Sequence, residues 1–236
     1  MRKLFFLLLV LSATTSWSQD NTALMQHYEA YYNQMRQQAD VNGVINALTH
    51  LYVLQPTEER RDTLAYLYAN NEQHVQALNL VGIETSPEDS DIAVEVKAIS
   101  LKAIGQPQRA IAPFQEIYKR NPNAYILYEL ADLKIQTGEN AGALIDIQKG
   151  LETATDEMKH AFYERNQPYE VSLKAALLHL RGLAEYGMNK NNIDKAIASI
   201  DEALAISPSF NLASLSKQAL ESRKSGAAPG TSDNQN

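Results

Sequence analysis

The sequence predicts an all-α protein, a stacked array of about five helix hairpins closed by a C-terminal capping helix. Two observations carry that prediction. Val44, Ala77, Ala110 and Ala143 recur at intervals of 33 residues, and each opens an apolar run at helical spacing. A fixed period of that length, without a strand pattern, belongs to arrays whose helix pairs bury their core between neighbouring units. Prolines then recur at a constant offset: Pro56, Pro122 and Pro208 follow Val44, Ala110 and Ala196 by twelve residues each. A small residue lets two helices approach closely, the residue one turn later fills the gap, and the proline stops the helix. Arrays of this kind hold partners rather than transform substrates, so binding is the expected class of function.

At the N-terminus, Arg2 and Lys3 precede an unbroken apolar run from Leu4 to Leu11, followed by Ser16, Trp17 and Ser18. This predicts a cleavable signal peptide over 1–18, cut before Gln19, because the run is well short of the roughly 20 residues that span a bilayer. A mature segment 19–24 leads into an array expected over 25–223, with units near 25–58, 59–90, 91–124, 125–157 and 177–210. Within it, the spacing of Ala110, Phe114 and Ile117 returns as Val44, Leu48 and Leu51 and as Ala196, Ile200 and Ala203. Gly105 to Pro107, Gly138 to Asn140 and Gly187 to Asn192 fall where the two helices of a pair must separate.

One interval departs from the period. Ala143 and Ala196 are 53 residues apart, and the excess forms an insertion near 155–168, where Phe162, Tyr163, Asn166 and Pro168 predict a short helical excursion and a turn. The apolar positions that follow extend the first helix of the last unit back to about Tyr169. Leu212, Leu215, Ala219 and Leu220 make the inner stripe of a cap over 211–223, which an open stack requires. The tail 224–236 has no apolar run and is expected to be disordered.

The second-helix pattern resembles the tetratricopeptide repeat (TPR), a family with an Ala, an aromatic, an Ala and a terminal Pro at those offsets. The resemblance covers roughly Met25 to Phe210 and extends in part to the first helices, for example Tyr28, Tyr31, Tyr32 and Met35, or Leu180, Leu183 and Ala184. Asp62, Lys97, Asp132 and Gly187 depart from it. It implies a right-handed α-solenoid of about five TPR-like helix hairpins, here of an exported bacterial type. Ankyrin repeats share the period, but their Thr-Pro-Leu-His signature is absent.

In such a stack the first helices line a concave face. Their free sides, at spacings of three, four and three, nominate a partner groove made of Asn33, Leu67, Ile92, Glu95, Ile99, Lys102, Ile126, Glu129, Leu133, Gln136, Arg181 and Glu185. Its centre sets Ile92, Ile99, Ile126 and Leu133 beside Glu95 and Glu129, which suits an amphipathic helix or extended peptide with a basic rim. With packed helices roughly 8 to 10 Å apart, the groove runs on the order of 40 Å and takes about 12 extended residues. The competing reading is that the curl of the array or the helix after the insertion covers these positions. The carboxylate clamp of Lys, Asn and Arg found in part of the family is not reproduced: Glu29, Leu67 and Ile92 stand in its place and only Asn33 fits.

The formal net charge is −7, and it becomes more negative without Arg2 and Lys3. Phosphate binding needs clustered Lys and Arg, so nucleic acid and anionic membrane are excluded as expected partners. There is no cysteine, so neither a disulfide nor a lipoprotein tether is available, and the expected location is periplasmic or secreted. His27, His50, His74, His160 and His179 show no metal-ligand spacing, and Glu88 to Asp91 lacks the downstream Gly and Glu of a calcium loop. That acidic run is expected to cap a helix beginning near Ile92. No phosphate loop or nucleophile elbow is present. The sequence therefore predicts no catalytic residue, cofactor or metal, and a non-catalytic scaffold of the cell envelope that binds a protein or peptide. The alternatives are a glycan-binding module using Tyr28 and Tyr32, or a hydrolase using Glu29, Glu95, Glu129 and Glu185.

Overall fold

Polar side chains set many of the helix starts. The first helix, α1, covers 21–37, and Asp40 begins α2 (Val41–Leu54) by accepting the Gly43 N–H at 2.9 Å. Thr57 caps α3 (Glu58–Asn70), which is followed by the short α4 (His74–Val81). Ser90 caps α5 (Asp91–Ala103), and Pro107 opens α6 (Pro107–Arg120) at a position where its missing N–H leaves no bond unmade. Asn123 caps α7 (Ala124–Gln136), and α8 (Asn140–Thr153) completes the fourth pair. Then come β1 (Lys159–Glu164), β2 (Gln167–Ser172), α9 (Leu173–Met188), α10 (Ile193–Ile206) and α11 (Asn211–Lys224). This computed structural model describes residues 21–164 and 167–226; the expected signal peptide, Asn166 and most of the expected tail lie outside them. No helix of the described residues is long and apolar enough to cross a membrane.

The described residues divide into two compact units, the first ending at Gly105 and the second beginning at Gln106. In the first, Met25, Tyr28 and Tyr32 of α1 pack on Ile45, Leu48 and Leu51 of α2 and on Leu64 of α3, while Ala65, Ala69, Ala77 and Val96 join α3, α4 and α5. In the second, one continuous cluster runs from Tyr128 and Ala131 through Ile147, Leu177 and Ile200 to Phe210 and Leu220. The repeat positions Ala77, Ala110, Ala143 and Ala196 are completely buried, and α2, α6 and α10 each end two residues before their proline.

The turns inside the first four pairs also repeat. Ala39, Glu72, Gly105 and Gly138 fall at the same 33-residue interval, and all four have a left-handed backbone, with φ of 55°, 60°, 71° and 81°. Gly105 and Gly138 adopt it without strain; Ala39 and Glu72 do so at a cost of about 1 kcal/mol each. In the fifth pair Gly187 is helical and the turn shifts to Asn189–Asn192.

Two departures from the repeat pattern hold the α4–α5 connection. Lys97, 2% exposed, donates to the Glu84 carbonyl at 2.7 Å and to Asp89 at 2.6 Å. The equally buried Asp62 accepts from Arg61 at 2.8 Å and from the Ser90 hydroxyl at 2.5 Å. Burial alone raises the Asp89 carboxyl, but the Lys97 and Ser86 hydrogen bonds and the nearby Arg61 charge hold it below the usual range. The acidic run thus caps α5 through Ser90, as its composition suggests, and spends Asp89 on the buried lysine.

The insertion is a β-hairpin, which corrects the expected helical excursion. β1 and β2 pair antiparallel with His160 opposite Val171 and Phe162 opposite Tyr169. Alternation places His160, Phe162, Tyr169 and Val171 inward, with Tyr163 at 82% exposure outward. Tyr169 lies in β2, so α9 starts at Leu173, later than expected. His160 packs on Tyr128 of α7 at 4.1 Å and Phe162 on Phe210 at 4.9 Å, while Tyr169 Oη accepts from the Leu212 N–H at 3.4 Å. Burial first, then the carboxylates of Asp132 and Glu129, pushes the Tyr128 phenol well above its ordinary value.

The cap is joined to α9 by a buried imidazole. The Ser216 hydroxyl donates to the Leu212 carbonyl at 2.9 Å, so His179 Nε2 must donate to Ser216 across the other 2.9 Å contact. Burial lowers the His179 pKa from 6.5 to about 4. The unfolded chain therefore binds the extra proton between these values, and the stability from neutral His179 is complete above about pH 6.5 and disappears as pH falls through 4. We predict that urea denaturation shows a loss of about 3 kcal/mol across that window, absent from His179→Gln. Parallel pH profiles for the two proteins contradict this.

Candidate functional site

In the first unit, α1 and α3 stand beside each other over α2 and leave a groove between them. At one end it opens into a space of about 420 Å³ walled by Glu29 and Asn33 on α1 and Arg60 and Thr63 on α3, with Leu48 and Leu51 of α2 beneath. At the other end is an apolar recess of about 220 Å³ made by Tyr32, Val41, Val44, Thr63 and Leu67. Tyr32 and Thr63 border both spaces, so the groove is continuous. This places an apolar floor beside a polar rim, the arrangement that anchors a side chain and orients the segment carrying it.

The rim is organised by two arginines. Arg60 donates to the Gln55 carbonyl at 3.0 Å and to its side-chain oxygen at 2.9 Å, and lies 3.8 Å from Glu29 across the groove. The Arg36 guanidinium sits 5.6 Å over the Tyr32 ring and borders the recess with Asn33 nearby. An exposed cation on an aromatic face gains about 0.5–1 kcal/mol and keeps its N–H groups available to an incoming carbonyl or carboxylate.

Only part of the predicted groove is assembled. Asn33 and Leu67 line it. Ile92, Glu95 and Lys102 are exposed on α5, and Ile99 is half-buried against the cluster of Ala65, Ala69, Ala77 and Val96. In the second unit, Ile126 and Glu129 are half-buried and Gln136 is exposed, donating to Asp132 at 2.8 Å. Leu133 is a correction: it is fully buried and offers nothing to a partner. Arg181 and Glu185 are a second one, because both are engaged with α10. Arg181 donates to Ser199 at 3.0 Å and to Glu202 at 2.6 Å, Ser199 donates to Glu185 at 2.6 Å, and Lys195 lies 3.2 Å from Glu185.

The groove's α2 floor and the α2–α3 link, where Gln55 and Thr57 contribute, lie outside the helix faces that the sequence spacing marks. Helix spacing marks faces of single helices, and link residues carry no such signal. Tyr28 and Tyr32 are half-buried and pack on the α1–α2 core, Tyr28 also stacking on His50 at 4.2 Å. Among the described residues no group of three His, Asp or Glu could hold a metal.

Two solved structures match this arrangement of helices over nearly their whole length. The crystal structure of MamA protein aligns with a TM-score of 0.56 at 18% identity, covering 88% of this chain and 98% of that one. The structure described as "YrrB: a TPR protein with an unusual peptide-binding site" aligns with a TM-score of 0.63 at 16% identity, covering 86% and 97%. The chain has the tetratricopeptide-repeat fold. No family model and no curated protein matches the sequence, so the TPR likeness rests on the helix arrangement. Within this chain, the recurring small residue and proline are the positions that set helix approach and helix end.

The burial of these positions separates them by experiment. Leu133→Lys should lose about 3 kcal/mol or more in equilibrium unfolding, since it buries an unpaired ammonium. Ile92→Lys, at a site already 41% exposed, should stay within about 0.5 kcal/mol of the parent. Comparable losses in both variants contradict the assignment of one to the core and the other to the surface.

Proposed function

We propose that this chain is a non-catalytic interaction scaffold of the bacterial cell envelope that holds an extended peptide between α1 and α3. The observation that carries the reading is the union, in one groove, of the recess at Val41, Val44 and Leu67 with the polar rim of Asn33, Arg36 and Arg60. One apolar side chain of the ligand fills the recess, and rim donors take its backbone carbonyls or a flanking carboxylate. The TPR fold and the peptide-binding site named for YrrB support this class of ligand. The envelope location rests on the pattern from Arg2 to Ser18, a basic start, a short apolar run and small residues before Gln19.

The hydrolase alternative loses one of its four carboxylates, because Glu185 is buried and bonded to Ser199 and Lys195. The acidic net charge favours protein over nucleic acid as partner.

A peptide selected from a random dodecapeptide library on the immobilised protein tests the groove directly. Fluorescence anisotropy should show at least tenfold weaker binding to Thr63→Arg combined with Arg36→Glu, with helical circular dichroism unchanged. Equal affinity for parent and variant, or a library that yields no binder, overturns the reading.

A further inference from the structure

The first unit carries a second recess, of about 410 Å³, between α2 and α4 at the end of α3. Four carboxamides, Asn42, Asn46, Gln73 and Gln76, surround it together with the rings of His50 and Tyr68. In a chain with 21% charged residues, no Asp, Glu, Lys or Arg lines it among the described residues. The amides of Asn46, Gln73 and Gln76 are not engaged by any described side chain, and Asn42 receives only a 3.5 Å contact from Asn71. Thr49 gives its proton to the Ile45 carbonyl at 2.7 Å and so faces a ligand as an acceptor. His50 is backed by Tyr28, whose ring lies parallel to it at 11°, which fixes the imidazole plane as a platform.

We propose that this recess binds a neutral oligosaccharide. Each sugar hydroxyl both donates and accepts, and so does each carboxamide, so the two sets satisfy each other without a charge on either side. Aromatic faces take the apolar C–H face of a pyranose ring. The volume lies within the roughly 300–1,000 Å³ of small-ligand sites. An acidic or basic ligand would leave its charge unpaired here, which separates this recess from the arginine-rimmed groove on the other side of α2. The two proposals stand on different residues and fail independently.

Saturation-transfer NMR on the whole protein tests it, using four uncharged tetrasaccharides built of glucose, galactose, mannose and N-acetylglucosamine, and an uncharged Asn/Gln-rich peptide as control. At least one sugar should receive saturation from the protein's aromatic protons at millimolar concentration. Its binding should weaken about tenfold in Asn46→Ala with Gln76→Ala, the loss of two neutral hydrogen bonds. Asn46→Asp with Gln76→Glu, which keeps the side-chain shapes and removes the donors, should weaken it as well and serves if the first variant unfolds. A sugar held equally by the variants, no response from any sugar, or a response from the peptide alone overturns the proposal.

Discussion

The array depends on how closely the two helices of a pair approach. The clearest instance lies where α9 crosses α10. A Cβ on Gly182 would stand 2.8 Å from the carbonyl oxygen of Ala196 and 2.6 Å from Ile200 Cγ1, closer than side-chain atoms tolerate. Ala196 is the residue at which the 33-residue pattern resumes after the insertion, and Ile200 follows it by one turn. Small residues at Ala77, Ala110 and Ala143 occupy the corresponding places, all without exposed surface. Approach at this distance brings large neighbours such as Leu177 and Ile200 into continuous contact, and dispersion and burial then supply the stability that disulfides cannot give a chain without cysteine.

Polarity inside the stack follows from the same constraint. Where a repeat position holds Lys97 or Asp62 in place of an apolar residue, a connection folds over it and pairs the charge with Asp89 or with Arg61 and Ser90. Breaking such a buried pair leaves one unpaired charge, so these departures act as fixed links and not as loose defects. On the α1–α3 side the polar groups do the reverse. Arg36 is exposed at the edge of the apolar recess and Asn33 at the wall of the adjoining space, and that contrast between satisfied interior polarity and available rim polarity is what distinguishes a groove from a core.

The repeat was legible because its constraints are stereochemical: a small residue for approach and a proline for termination leave the same mark at Ala110 and Pro122 as at Ala196 and Pro208. The left-handed turns were half-legible, since Gly105 and Gly138 announce them whereas Ala39 and Glu72 adopt the same conformation without a sequence sign. The hairpin at Lys159–Ser172 was not, because six-residue strands alternate too briefly to stand out from the helical period around them, and Pro168 reads as a turn although a two-stranded ribbon accepts it on its open edge. The exposed faces of α7 and α9 were illegible for a related reason. Leu127, Tyr128, Leu130, Ala131 and Leu133 are all buried, so α7 is apolar through most of its circumference, and a rule that assigns one stripe to the core cannot place Leu133.

Replacing Gly182 by alanine and measuring the free energy of unfolding tests the central claim, because two effects then oppose each other in sign. Helix propensity alone would make Gly182→Ala more stable by about 1 kcal/mol. The close approach of α9 to the Ala196 carbonyl predicts the opposite, a loss of about 1–3 kcal/mol as the added methyl forces the helices apart. A stabilised variant with unchanged cooperativity would contradict the account, since it would mean that small residues do not set the distance on which the stack is built.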